Sequence, residues 1–139
     1  MEQRFEDLTE DDRRGLQRQR DWMLGHYPSG KSAAYEKFAG KLILIDTILK
    51  NGWVKPEETW KLQSLGVSFG DALEQYMGLE WLIVVDESGR DVAMRDPKSS
   101  SKVFPLTIIS KRVEEGEVVD VVGLFTGICN KISSLRPQG

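Results

Sequence analysis

The stretch "GHYPSGKS", Gly25 to Ser32, fits the phosphate-loop pattern G-x-x-x-x-G-K-[ST] at every position. In a working loop of this kind, backbone N–H groups cradle the phosphates, the lysine reaches the outer ones and the hydroxyl holds magnesium. "LIVVDE" (Leu82 to Glu87) resembles the strand-plus-acid that completes such a magnesium site. The chemistry needs a buried strand to feed the loop and a helix to receive it. Here the residues ahead of Gly25, "LQRQRDWML", read as an amphipathic helix. "LIVVDE" runs on into the turn "SGRD", which fits a hairpin better than a parallel strand. The preferred reading is a Pro-Ser-Gly turn in which Lys31 is solvated and Ser32 caps the next helix. A P-loop nucleotide-binding protein (Gly25–Ser32) remains the rival.

Other reactive types are few. His26 and Cys129 are the only histidine and cysteine, which excludes an internal disulfide, a multi-cysteine metal site and paired-histidine motifs. They lie about 100 residues apart by the spacing that nucleophile–base pairs must bridge through the fold, and no third group orients them. A lone cysteine on an apolar helical stripe reads as a small core hydrophobe. The acid pairs Asp86/Glu87 and Glu114/Glu115 fall at a hairpin tip and a charged turn, where carboxylates are solvated and their pKa values are not driven apart. No catalytic residue, cofactor or metal ligand is expected. The one candidate surface is Trp81, Ile83 and Arg95, an aromatic beside a cation on one face of the hairpin; such types anchor interfaces. Against it stands a core role for Trp81, since "WLIVV" is apolar on both faces, as in a strand buried on both sides.

The elements that would position these residues follow from periodicity. Thr9 reads as the N-cap of a helix over about 9–27, with Glu10, Asp11 and Asp12 at its positive end. Tyr35, Phe38, Leu42, Ile45 and Leu49 predict a second helix over 32–51, stopped by Asn51-Gly52. A third covers 56–77, with Pro56 in its first turn and Leu62, Leu65, Phe69, Leu73 and Tyr76 on its core face. Gly66 and Gly70 inside it imply that another backbone packs closely. After Gly78 the period falls to two. Strands over 80–86 and 90–96 form a hairpin with the three-residue loop "ESG", and 102–105 supplies a third short strand. That register sets Val84 opposite Val92 and Leu82 opposite Met94 on the core face. It sets Ile83 opposite Ala93 and Trp81 opposite Arg95 on the other. Residues 106–115 fit a strand or a short helix, and 120–133 a terminal helix. Strands segregated among helices give an α+β class in one domain over 1–139.

Composition narrows the function. With 40% apolar and 29% charged residues the chain is an ordinary globular one, and its net charge of −3 lacks the basic footprint of nucleic-acid binding. Apolar runs stop at "WLIVV", far short of the ~20 residues of a membrane span. The charged opening "MEQRFEDLTEDDRR" has no signal core, so the expected location is the cytoplasm.

"GLEW", an acidic hairpin with "GRD", and "FPLTIISKR", together with the glycine-bearing helix before them, resemble a bacterial family known as domain of unknown function 3806, over residues 65–120. The resemblance implies a small bacterial domain with no assigned activity. The expected function is a non-enzymatic cytoplasmic binding domain whose partner is another protein. A narrower form is an antitoxin-like immunity protein whose acidic surface meets a basic toxin.

Overall fold

The structure is a computed structural model that describes residues 2–26 and 32–137. Its elements are β1 (Arg4–Glu6), α1 (Glu10–Leu24), a short 3₁₀ helix (Ser32–Glu36), α2 (Phe38–Lys50), α3 (Thr59–Met77), β2 (Glu80–Asp86), β3 (Gly89–Arg95), β4 (Lys102–Val103), α4 (Pro105–Glu114) and α5 (Val121–Leu135). The strands form one antiparallel sheet in the order β1-β2-β3-β4, and the fold is α+β as its sequence implies.

α1 starts where the sequence places it. The Thr9 hydroxyl accepts from the Asp12 amide, and the Asp12 carboxylate accepts from the Thr9 amide at 2.8 Å, a reciprocal cap. The helix ends at Leu24, three residues earlier than expected; Tyr27 lies outside the described residues. The continuous helix expected over 32–51 is instead broken at Lys37, which caps α2 in an extended conformation. The cause is Lys41, whose ammonium donates to the carbonyls of Tyr35 (2.7 Å) and Glu36 (3.0 Å) and so finishes the 3₁₀ turn with a side chain. α3 begins at Thr59 rather than Pro56, because a turn from Lys55 to Glu58 precedes it.

α3 is the central helix. From Leu62 to Leu73 every residue but the half-buried Gln63 is buried, so the middle of the helix is covered on all sides. The two glycines explain how α4 and the sheet come so close. A Cβ on Gly66 would lie 2.2 Å from the Pro105 carbonyl oxygen, and one on Gly70 would lie 2.4 Å from the Trp81 ring. The expected backbone contact therefore exists at Gly66, and an indole fills the space at Gly70. Residues 105–114 are helix: Pro105 opens α4, which limits the third strand to Lys102–Val103.

The hairpin differs in register from expectation. Asp86 pairs with Gly89, which leaves a two-residue loop, Glu87-Ser88, with the Asp86 carboxylate accepting from the Ser88 amide at 2.8 Å. Trp81 therefore lies across from Met94, Leu82 from Ala93, Ile83 from Val92 and Val84 from Asp91. A one-residue difference exchanges the partners on each face. Met94 belongs to the main core with the helices, so Trp81 and Ile83 point there too. Leu82, Val84 and Ala93 form a separate buried cluster on the opposite face. β1, not expected from sequence, runs along β2 and sets Phe5 beside Val84.

Candidate functional site

Polar side chains gather where α1, α2 and α3 meet β2. Asp71, buried on α3, accepts from Arg20 Nε at 2.7 Å, from Arg20 Nη2 at 2.8 Å and from Trp81 Nε1 at 3.0 Å. Burial opposes the charge on Arg20, but its hydrogen bonds to Asp71 and the charge of that carboxylate together outweigh it and hold the guanidinium above its ordinary pKa. Lys41, also buried, completes its donors with Gln75 Oε1 at 3.4 Å. Burial pulls its amine below the usual lysine value, and the charge on Asp71 offsets part of that. Burial, followed by the Asp71 charge, raises the pKa of nearby Glu74. The Tyr35 hydroxyl is hydrogen-bonded to Ser68.

A nucleophilic amine needs a free lone pair and room for an electrophile. Lys41 instead has three oxygens around its ammonium, and the Arg20–Asp71 fork is fully matched. The cluster works as a brace between helices. Among the described residues no three His, Cys, Asp or Glu side chains group as metal ligands would.

The residues singled out in the sequence are dispersed. Gly25 ends helix α1, so a helix and not a strand leads into the G-x-x-x-x-G-K-S stretch; Tyr27 to Lys31 lie outside the described residues. The "LIVVDE" segment is β2 and its turn, antiparallel to both neighbours. Cys129 sits in the core on α5, where burial pushes its thiol pKa up, while His26 lies between Trp22 and Trp53. Trp81 is half-buried and Ile83 fully buried on the helix side of the sheet. Arg95 lies on the other side, with its guanidinium 4.9 Å from the Phe5 ring centre and its Nε without a hydrogen-bond partner among the described residues. Trp81, Ile83 and Arg95 thus share no surface.

The structure assembles a different aromatic surface. The rings of Trp22 and His26 are 4.2 Å apart, those of Trp22 and Trp60 6.4 Å, and those of His26 and Trp53 6.2 Å. His26 is oriented by donating Nδ1–H to the Trp22 carbonyl at 2.9 Å. Trp53 and Trp60 are 50% and 46% exposed. Sequence reading missed this group because its members come from α1 and the turn after it, the α2–α3 connection and α3. The only local signal is "WVKPEETW", two tryptophans at either end of a polar turn.

A family model described as Domain of unknown function (DUF3806) matches residues 41–125. The chain belongs to this family. The match takes in most of α2 and all of α3, so the DUF3806 region begins well before the residue 65 at which the resemblance is first visible. No curated protein matches the chain. The fold is shared with a crystal structure, at 1.50 Å resolution, of a protein from Bacteroides thetaiotaomicron VPI-5482. The TM-score is 0.74 at 11% identity, covering 92% of this chain and 47% of that one. This DUF3806 protein therefore spans about half the length of its structural relative. No helix among the described residues is long and apolar enough to cross a membrane.

Proposed function

We propose that this DUF3806 protein is a non-enzymatic binding domain that engages another protein through Trp22, His26, Trp53 and Trp60. The observation that carries the reading is the half-exposure of Trp53 and Trp60 within a continuous aromatic cluster. Tryptophan anchors interfaces because it buries a large area at small entropic cost, and clustered exposed aromatics are unusual on a surface that stays wet. The net charge of −3 suits a basic partner and would speed its association. An immunity protein against a basic toxin is the narrower form of this function.

The test is capture from the native cell with a photo-crosslinking residue at Glu57, between the two tryptophans. One specific protein should be captured, and lost in the Trp53→Ala/Trp60→Ala variant. A basic toxin among the products would establish the narrower form. Equal capture by the variant, or no capture at all, would overturn the proposal. Magnesium-dependent ATP or GTP binding in calorimetry, abolished by Lys31→Ala, would favour the nucleotide-binding rival instead.

A further inference from the structure

The cleft bounded by β4, α4 and α5 has a volume of about 530 Å³ and a chemistry unlike the rest of this acidic chain. Three cations line it, Lys111 and Arg112 from the last turn of α4 and Lys131 from α5; Lys102 of β4 contributes to the rim, but it pairs across from Arg95 and so turns its ammonium to the other face of the sheet. No carboxylate lines it, and none of the three forms an ion pair among the described residues. Lys102 Nζ donates to Gln3 Oε1 at 2.5 Å on that other face, and within the cleft Arg112 Nη1 donates to a neutral oxygen, the Ile108 carbonyl, at 2.8 Å. Elsewhere Arg14, Arg20, Arg90 and Arg136 each meet a carboxylate. The charge in the cleft is therefore left uncompensated.

Between the cations the wall is apolar. Val103 and Ile132 are buried, Ile108 and Ile128 are half-buried, and Phe104 and Leu135 are 37% and 56% exposed. Exposed hydrocarbon beside unpaired cations is complementary to a molecule that joins an anion to an apolar tail. The size argues for a small one. Ligand pockets typically run to roughly 300–1,000 Å³, whereas a folded partner needs roughly 800 Å² of surface per side.

We propose that this cleft binds a small anionic amphiphile, with a carboxylate head among Lys111, Arg112 and Lys131 and an apolar tail along Ile108, Ile128 and Ile132. The site is separate from the tryptophan surface, and neither depends on the other.

Sodium decanoate, titrated into the full chain at millimolar concentration and followed by calorimetry and NMR, tests it. Binding should be saturable with one site. Hexanoate should bind at least about tenfold more weakly, because each buried methylene contributes roughly fourfold in affinity. Decanol, with the tail and no charge, should lose about tenfold as well, since charge-assisted hydrogen bonds to the head are missing. The Lys111→Gln/Lys131→Gln variant alters two exposed side chains, so its thermal midpoint should hold while decanoate affinity falls about tenfold. Trp53→Ala/Trp60→Ala should bind decanoate as well as wild type does. Absence of saturable binding, equal affinity for decanol, or undiminished binding by the lysine variant would each overturn the proposal. Binding to phosphatidylglycerol vesicles without binding to free decanoate would overturn it too, by assigning the cations to a membrane surface.

Discussion

Trp81 gives its indole N–H to Asp71 and the edge of its ring to Gly70, so its neighbours are chosen for it by α3. The same carboxylate is forked by Arg20, which means that one buried acid orients both a sheet residue and a residue of α1. Removing the indole opens a void against α3 and withdraws one of three donors from Asp71. Trp81→Ala should therefore cost about 3 kcal/mol, the lower end for a large aromatic, because the ring is only half-buried. Urea denaturation monitored by circular dichroism checks it; an unchanged midpoint would show that the ring does not support the core. The identity of a buried acid can be suspected from "GDAL", a charge inside an otherwise apolar helix stripe. Its partners cannot, because Arg20 lies 51 residues earlier and nothing local marks it.

At the scale of elements, α3 and α4 meet so closely that one substitution should have opposite signs at two glycines. Alanine in a helix is favoured over glycine by about 1 kcal/mol. At Gly127, on the exposed side of α5, an added Cβ meets nothing within 4 Å, so Gly127→Ala should stabilise by about that amount. At Gly66 the added carbon would overlap the Pro105 carbonyl, and backbone must move. Gly66→Ala should destabilise by about 1–3 kcal/mol despite its better propensity. Paired denaturation curves decide it, and a shift of the same sign in both would refute the close contact. The glycine pair was readable from spacing, as were α1, α3, α5 and the existence of the hairpin, while 106–115 fitted a strand as well as the helix it forms. Three features were not readable. β1 is three residues long and gains its order from β2, about 80 residues away by the pairing that fixes it. The hairpin register turned on a loop of two residues or three, and Gly89 suits both. The break at Lys37 depends on the reach of Lys41 back to two carbonyls, which no periodicity encodes. The tryptophan surface escaped for the same reason as β1, since chain separation hides it.

Across the whole molecule, the C-terminal end of α5 is fastened by Arg136. Its Nε and Nη2 donate to Asp96 at 2.9 and 3.0 Å, and Nη2 also reaches the Met77 carbonyl at 2.6 Å. One guanidinium thereby joins α5, the β3–β4 connection and the end of α3. The Arg136 hydrogen bonds, against the cost of burial, hold the Asp96 pKa down at about 2. A folded-state pKa below the unfolded one stabilises the fold when the carboxylate is ionised. The contribution is complete above the ordinary aspartate range and is lost as pH falls from about 4 towards about 2. Asp96→Asn should remove about 1–2 kcal/mol at pH 7, after discounting for solvent screening, and the gap from wild type should close near pH 2. Stability measured by urea at both pH values checks this; a gap independent of pH would place the cost in packing alone.

The capped start of α1 also has a consequence for biosynthesis. Asp12, which closes the Thr9 cap, is bidentately held by Arg90 at the hairpin tip, 78 residues downstream, at 2.9 and 2.6 Å. β1, just ahead of it, pairs only with β2. Chains emerge from the ribosome N-terminus first. Residues 2–14 therefore leave the tunnel long before either of their fastenings, β2 and Arg90, exists. They must wait, solvated and acidic, while α2 and α3 are made, and they are tied down only when the hairpin arrives. The run of charges from Glu2 to Arg14 suits that interval, because charged side chains on an unpaired strand disfavour its pairing with other chains.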